Sequence, residues 1–418
     1  MNAGEVLVRM YDVGFGDCFL VVVPGEPRRV ILVDAGFHAQ GKGSFAGKDL
    51  ASRVIADVKE LRGSARIDVV VATHRHQDHV YSFNSPVWDE VEIGEVWMPW
   101  VEDRADERAR RLWKKGHAFG ARLAAALPSL SVAPADREAI DFVLWNAGHG
   151  EPMFPGWSND GALDRLHDGF ARRDRERPRF LPETSELPES FESPALPGVT
   201  VHVLGPSRDP AALSEGDPGR DGESYRALAL LEADETGRAV DPPFSAVWRA
   251  PKDAKGGLRQ DEVARLRGLA RAVDPLFAAQ ALDDMINATS LVLVLQIGRA
   301  RLLLPGDAEW GTWKRILADD RARALLKGTT FLKVGHHGSH NGTPKTLVEE
   351  VLKPGTKGMI STQEGPGSFR NQIPLPDLLR ALEAHGVESV RSDAKRKKLP
   401  EGFHRDGGGD VVEVALPS

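Results

Sequence analysis

The chain has 418 residues, enough to bury a large core, and its net charge of −7 gives no general attraction for polyanions. Contact with nucleic acid would therefore need a local basic patch. The single cysteine, Cys18, lies in an apolar strand and excludes both internal disulfides and a cysteine-based zinc site. No segment reaches the roughly 20 apolar residues that span a bilayer, and the N-terminus lacks a secretory signal pattern. We therefore expect a cytoplasmic protein that has no membrane partner.

The first half of the chain contains a regular block followed by an irregular stretch. Apolar runs predict strands at 6–13, 18–23, 30–36, 67–73 and 91–98, and helical spacing predicts a helix at 49–61. The pattern changes from 100 to 198. This stretch begins with a basic, alanine-rich helix predicted at 104–127. It ends with residues 180–197, which are rich in Pro, Glu and Ser and predict an extended linker or mobile loop.

The second half contains another irregular stretch and another regular block. Strands are predicted at 199–204, 290–296, 301–304, 330–334 and 410–416, and helices at 261–282, 309–326 and 375–385. Strand, loop and helix recur in this order in both blocks. We therefore predict an α/β fold with one domain, residues 1–418, in which two packed sheets are covered by helices. Insertions at about 100–198 and 207–285 are expected near the mouth of the site.

Four possible metal ligands lie within six residues, directly after the strand predicted at 67–73: His74, His76, Asp78 and His79. Residues two apart in an extended segment face the same way, so His74 and His76 can bind one ion. Asp78 and His79 can then turn toward a second ion. Imidazole and carboxylate suit divalent transition ions, so we predict two divalent ions as cofactors, with zinc favoured and manganese as the alternative.

Three further apolar strands also end in acidic or histidine residues: Asp34, Asp307 and the pair His336-His337. An acid placed between two ions bridges them, and a late histidine completes the second site. Asp307 and one of the two histidines therefore complete the predicted set. Asp34 is predicted to orient a ligand imidazole through the nitrogen that does not face the ion.

These motifs resemble those of metallo-β-lactamase-fold hydrolases, and more narrowly the hydrolase domain of ComEC-type DNA-uptake proteins and its stand-alone relatives. The matching segments are Asp12–Cys18, Ile31–Gly36, Thr73–His79, Asn287–Val292, Leu303–Asp307 and Leu332–Ser339. They occur in the family's order within about residues 6–363 and cover only the two regular blocks. The resemblance implies an αββα sandwich with long insertions near the active site.

Carried over by position, the resemblance assigns His74 and His76 to one ion and Asp78 and His79 to the other, with Asp307 bridging. His337 is favoured over His336 as the late ligand because it directly precedes glycine. The chain departs from the family at the usual third histidine of the first ion. Gly205-Pro206-Ser207 stands there, while His202 comes too early and is expected to pack in its strand, and His149 lies in the insertion.

The function implied by this resemblance is hydrolysis. Two ions would acidify a water and hold the attacked and leaving oxygens. We predict Asp78, Ser339 and His340 as catalytic residues, with Ser339 offering a hydroxyl to a phosphate and His340 acting as general acid or else facing solvent. The segment His336–Ser339 and the motif order favour a phosphodiesterase or nuclease acting on nucleic acid or nucleotides. A hydrolase of a small ester, lactone or thioester, and a non-catalytic metal-stabilised binding module, remain alternatives.

Two basic segments could contact phosphate groups. The first is the helical segment 104–115, for which the alternative is a solvated face paired with the neighbouring acids Glu102, Asp103, Asp106 and Glu107. The second is Lys395–Lys398, for which the alternative is an exposed turn. The insertion from about residue 104 to 198 is expected to govern which substrate is accepted, and not whether hydrolysis occurs.

Overall fold

Two β-sheets form the centre of the computed structural model, which describes residues 4–45, 49–130, 132–171, 174, 177–209, 212–214, 275–394 and 398–418. The strands are β1 (Glu5–Tyr11), β2 (Cys18–Val23), β3 (Arg29–Ala35), β4 (Arg66–Val71), β5 (Glu92–Pro99), β6 (Arg179–Leu181), β7 (Glu189–Glu192), β8 (Val199–Gly205), β9 (Val292–Ile297), β10 (Ala300–Leu304), β11 (Phe331–Lys333), β12 (Lys357–Ile360), β13 (Glu388–Arg391), β14 (Phe403–Arg405) and β15 (Val411–Pro417). The first sheet has the order β14-β15-β1-β2-β3-β4-β5-β6, and the second β13-β12-β11-β10-β9-β8-β7.

Helices cover the outer faces of both sheets and form an inserted group. They are α1 (Asp49–Arg62), α2 (Gln77–Val80), α3 (Glu107–Ala126), α4 (Pro134–Asn146), α5 (Asn159–Asp164), α6 (Pro275–Asn287), α7 (Trp310–Ala318), α8 (Asp320–Leu326) and α9 (Pro376–Ala384). The helix predicted at 309–326 is therefore two helices. They are separated at Asp319, whose side chain accepts a hydrogen bond from Ala322 N and caps the second.

The hydrophobic core has three layers because alternate residues of a strand face opposite sides of a sheet. Val8 of β1 and Val21 of β2 pack between the two sheets against Leu293 of β9. Leu20 of β2 faces the other way and packs beneath α1. The outer face of the second sheet packs against α7, α8 and α9. The predicted αββα sandwich is confirmed.

The segment predicted as a linker, residues 180–197, instead contains two short strands, so that prediction was wrong. β6 pairs in parallel with β5 at the end of the first sheet, and β7 pairs antiparallel with β8 at the end of the second. An edge strand is paired on one side only and needs little apolar sequence, which is why its composition resembled that of a linker.

The inserted helices α3 and α4 each pack against α6. Leu123, Ile140, Leu282 and Ile286 are among the buried residues of their common core. Gly116 and Gly120 of α3 allow close packing, because a Cβ at Gly116 would meet Met285 and one at Gly120 would meet His149 and Leu282. The prediction of a helix at 104–127 is confirmed with slightly shorter bounds.

Parts of two other predictions lie outside the described residues. The helix predicted at 261–282 can be followed only from Pro275, where α6 begins, and α6 continues to Asn287. Of the basic run Lys395–Lys398, only Lys398 is described. Among the described helices, none is long and apolar enough to cross a membrane.

Candidate metal centre

The predicted ligands meet at one end of the sandwich, where strands of both sheets end. β3 and β4 are parallel neighbours in the first sheet, and β10 and β11 are parallel neighbours in the second. Their carboxyl ends therefore lie side by side within each sheet and face each other across the sandwich. Asp34 lies near the end of β3, and the segments that follow β4, β10 and β11 carry the other acidic and histidine residues singled out in the sequence.

The inner faces of these side chains form a compact, buried cluster. His79 Nε2 and His337 Nε2 each lie 3.2 Å from Asp307 Oδ2, and His337 Nε2 lies 3.2 Å from Asp78 Oδ2. His74 Nε2 faces His76 Nδ1 at 3.1 Å. Possible ligand atoms of His74, His79 and Asp307 lie within 4.8 Å of one another, as do those of Asp78, His79 and His337. Asp307 thus stands between the two groups.

Each imidazole has an inner nitrogen, which faces the cluster, and an outer nitrogen, which faces away from it. In three of these rings the outer nitrogen contacts a neighbouring oxygen. His79 Nδ1 lies 2.8 Å from Asp34 Oδ2, and His337 Nδ1 lies 3.0 Å from the carbonyl oxygen of Ser361. His74 Nδ1 lies 3.1 Å from Thr73 Oγ1. Such contacts leave the inner nitrogen of each ring as an acceptor, which is the form that binds a metal. Asp34 also accepts from Thr73 N at 2.7 Å, so it ties the ends of β3 and β4 together.

Two glycines bring the backbone of the histidine loop close to the first strands. Gly16, at a φ of 122°, and Gly36 both lie against the backbone of Asp78, and a Cβ on either would collide with it. Asp17 N donates to the carbonyl oxygen of Asp78 at 3.0 Å. This close approach is the physical reason for Gly16 in the matching segment Asp12–Cys18.

A buried lysine supports the acidic side of the cluster. Lys333 Nζ donates to Asp307 Oδ1 at 2.9 Å and to the carbonyl oxygen of Gly306 at 2.9 Å, and it forms an ion pair with Asp17. Burial lowers the pKa of Lys333, but these two carboxylates outweigh that effect and raise it above its ordinary value. Lys333 therefore stays charged and holds one oxygen of Asp307, leaving the other directed at the histidines.

The donor set fits divalent metal ions. Among the described residues, both carboxylate oxygens of Asp78, the Nε2 atoms of His76 and His337 and Asp17 Oδ1 are buried without a hydrogen bond of satisfactory geometry. Buried polar atoms are costly to leave without a partner, and a bound ion is one way to satisfy them. Facing ligand atoms about 3.1–3.2 Å apart also match the separation set by bonds of ~2.1 Å to a shared ion.

The protonation of the histidines depends on their distance from the carboxylates. Burial lowers the pKa of His76 to about 3, so that its ring is neutral. Burial also lowers the pKa of His337, but Asp307 and Asp78 outweigh it and raise the pKa to about 10. A proton held at His337 would therefore be displaced by an ion that occupied the same position.

The two adjacent histidines of the second block point in different directions. His336 Nδ1 lies 2.9 Å from Asn341 Oδ1, and its Nε2 lies 3.3 Å from Asn287 Nδ2. Both of its nitrogens are therefore engaged away from the cluster. Both residues have left-handed backbone, with φ of 46° at His336 and 51° at His337, a strain that tends to occur at functional sites.

The loop after these histidines is held by buried polar contacts. Ser339 Oγ donates to Asn341 Oδ1 at 2.7 Å, and Asn341 Nδ2 donates to the two oxygens of Glu309 at 2.9 and 2.8 Å. Ser339 is buried and His340 is half-buried, and neither belongs to the ligand groups found among the described residues. Their predicted contacts with a phosphate and a leaving group stay predictions.

The structure places the remaining candidates away from the cluster. His202 lies on β8 with Nδ1 2.7 Å from Ser190 Oγ, and it is half-buried, less than the packing expected for it. His149 packs against His117 of α3, with ring centroids 4.9 Å apart. Ser207 is buried, and its carbonyl oxygen accepts from Trp100 Nε1 at 3.0 Å. The position of the family's third histidine therefore holds no imidazole.

Several residues around the centre were missed by sequence reasoning. Lys333 offered a signal, because a lysine within an apolar strand is rare unless its charge is paired. Asp283 and Glu309 lie on or beside helices and match no metal-ligand spacing, so only tertiary structure could reveal them. Cys18 is fully buried, as expected, and burial raises its pKa well above the ordinary value, which makes it unreactive.

Residues 11–159 match the sequence profile of the Metallo-beta-lactamase superfamily. The matched segment begins at Tyr11, the last residue of β1, and includes β2–β5 and the loop with His74, His76, Asp78 and His79. Together with this match, the two helix-covered sheets of the described residues form a metallo-β-lactamase-like αββα sandwich. Proteins with the metallo-β-lactamase fold are usually metal-dependent hydrolases that bind divalent ions. No curated protein matches the chain.

Proposed function

We propose that the protein is a hydrolase with two divalent metal ions that cleaves phosphodiester bonds, in the manner of the ComEC-type enzymes. One observation carries the metal-dependent part. Predicted ligands from three separate loops converge in a buried cluster, and several of their polar atoms make no hydrogen bond of satisfactory geometry with a described residue. Zinc suits this mixture of imidazole and carboxylate, and manganese is the alternative.

In this proposal each residue has one task. His74 and His76 hold one ion, Asp78, His79 and His337 hold the other, and Asp307 lies between them. Asp34 and Lys333 set the direction of His79 and Asp307 through their direct contacts. The ions would lower the pKa of a water and stabilise charge on the attacked oxygen. Ser339 and His340 stay the candidates for contact with the phosphate and the leaving group.

A basic face on α3 supports a phosphodiester substrate. A shallow depression on this helix is lined by Arg111, Lys114, Lys115, Ala118, Phe119 and Arg122. Phe119 is 39% exposed, which is unusual for a large aromatic side chain. Of the four acids named in the solvated-face alternative, Asp106 contacts Arg108 and Glu107 contacts Arg111, whereas Glu102 pairs with Arg75 outside the helix. The alternative of a solvated, paired face therefore fits the start of the helix. The next two turns keep a positively charged surface that a phosphate backbone could contact.

The experiment combines metal analysis with a cleavage screen. We expect about two zinc or manganese ions per chain and hydrolysis of bis-p-nitrophenyl phosphate that chelation abolishes and metal restores. Single-stranded DNA, double-stranded DNA, RNA and dinucleotides are then compared over a range of salt concentrations. Affinity for a polyanionic substrate should fall steeply with salt, whereas affinity for a small neutral ester should hardly change.

A surface variant separates substrate binding from chemistry. Replacing Lys114, Lys115 and Arg122 by Gln should weaken nucleic-acid binding and flatten its salt dependence, with metal content and bis-p-nitrophenyl phosphate hydrolysis unchanged. The matched control replaces Arg137, an exposed arginine paired with Asp141 on α4, by Gln. Full activity of the metal-free protein would contradict the metal-dependent function. Rapid turnover of esters with none of phosphodiesters would contradict the substrate class alone.

A further inference from the structure

His76 differs from the other predicted ligands in the contact made by its outer nitrogen. The outer nitrogens of His74, His79 and His337 each lie within 3.1 Å of an oxygen that orients the ring. His76 turns Nδ1 toward His74, so that Nε2 is its outer nitrogen. That atom is buried and makes no hydrogen bond with any described residue. Since an imidazole ligand needs an outer partner to fix its ring and tautomer, one partner is missing from the set.

The carboxylate of Asp283 is placed to be that partner. Asp283 Oδ1 lies 3.7 Å from His76 Nε2, and Asp283 Oδ2 accepts from Asn287 Nδ2 at 3.0 Å. One oxygen is thus anchored one turn further along α6, and the other is directed at the histidine. A shift of about 1 Å brings the pair to hydrogen-bond length. The Asp283 side chain is 18% exposed and that of His76 is 2% exposed, so little solvent competes for the contact.

The position of Asp283 is fixed by the packing of α6 against α3 and α4. Leu282 and Ile286 of α6 are buried in the core shared with α3 and α4. Gly116 and Gly120 let α3 approach α6 closely at Met285 and Leu282. These contacts flank Asp283 on both sides along the helix and direct it toward the loop of His76. The inserted helices therefore reach the side of the centre where the family's third histidine is absent.

We infer that Asp283 is a positioning residue that accepts the Nε2 proton of His76 and so directs Nδ1 toward the first metal ion. The inference rests on the proposed two-ion centre and extends it to a residue outside the strand-end loops. His74 and His76, the ligands proposed for the first ion, are both neutral. A hydrogen bond from His76 to the Asp283 carboxylate raises the basicity of the His76 ring.

The test measures zinc affinity at each site, not activity. Purified full-length protein is loaded with zinc, and the two dissociation constants are obtained by competition with a chromophoric chelator. Asp283→Ala should weaken the binding of one zinc ion by about 10- to 100-fold and leave the dissociation constant of the other unchanged. Asp283→Asn should weaken the same ion less, because the carboxamide oxygen can still accept a hydrogen bond from Nε2. Asp284→Asn, which removes the same charge from the next residue of α6, should leave both constants unchanged.

Three results would overturn the inference. Unchanged zinc affinity in Asp283→Ala would show that His76 needs no such partner. An equal loss in Asp283→Asn and Asp283→Ala would make Asp283 a direct ligand. An equal loss of zinc affinity in Asp284→Asn would show that Asp283 acts only through its negative charge and not through a contact with His76. The proposed function fails separately, and before this comparison, if the unsubstituted protein binds no zinc or manganese. Because Asp283→Asn keeps the shape of the side chain, it remains informative if Asp283→Ala does not fold.

Discussion

The strand-end loops and the inserted helices surround the same centre but contribute to it differently. The loops, one of which includes the short helix α2, supply every predicted ligand from backbone held by parallel strands, as the hydrogen bonds that Thr73 donates to Asp34 illustrate. The helices approach from outside, where Asn146 of α4 accepts from Asp78 N at 2.9 Å and Asp283 of α6 faces His76. Loop residues thus set which atoms face an ion, whereas helix residues set how firmly those atoms are held.

This division changes the expected role of the insertion. The expectation that it governs substrate choice stays a prediction, supported by the basic face of α3. However, Asn146 and the carbonyl oxygen of Trp145 also bond directly to the residues Asp78 and Gln77 of the ligand loop. Replacing the whole segment by a short linker would remove these contacts, and strands β6 and β7 with them. Single substitutions therefore test the two regions more cleanly than a deletion.

The largest effect is expected for a loop ligand. Loss of a residue that orients a ligand histidine costs about 10- to 100-fold in activity. Asp78→Ala should reduce turnover by more than this, because Asp78 is itself a predicted ligand. The fold should survive, because neither oxygen of the Asp78 side chain has a hydrogen bond of satisfactory geometry with a described residue. Turnover and bound metal are measured together with a thermal melt. Near-normal rates in a well-folded variant would exclude a two-ion centre that uses this residue.

The next test compares two neighbouring loop residues. His337→Ala should lose more metal and more activity than His336→Ala, because His337 Nε2 faces Asp78 and Asp307 while the nitrogens of His336 contact Asn341 and Asn287. Elemental analysis and hydrolysis of bis-p-nitrophenyl phosphate give the comparison. Greater damage from His336→Ala would show that the loop turns the other histidine inward when metal binds.

The smallest effect is expected for a helix residue that contacts a ligand loop through its backbone. Asn146→Ala should leave Asp78 N buried without a partner and cost about 1–3 kcal/mol of folding free energy. It should slow turnover moderately without changing the number of ions. Denaturant unfolding and kinetics check this, with Glu138→Ala on the exposed side of α4 as control. A loss of metal as severe as in Asp78→Ala would break the distinction between the two regions.

Much of the fold and of the centre could be predicted from local patterns. Strand β2 is a continuous apolar run, and β4 ends in the apolar residues Val69–Val71 shortly before the histidine loop. The pairing of two regular blocks placed the ligands at strand ends, which meet at one edge of each sheet. Edge strands β6 and β7 escaped prediction because three or four residues are too few to show a strand pattern within a segment rich in Pro, Glu and Ser.

What the sequence alone determined is the set of chemical groups and their loops, because ligand spacing after a buried strand is a short-range property. Tertiary structure decided which nitrogen of each histidine faces inward, since that depends on partners such as Ser361 and Asp34 from other strands. It also decided the place of Lys333 between two acids and that of Asp283 beside His76. These contacts join residues far apart in the chain, and the packing of buried helices and sheets brings them together.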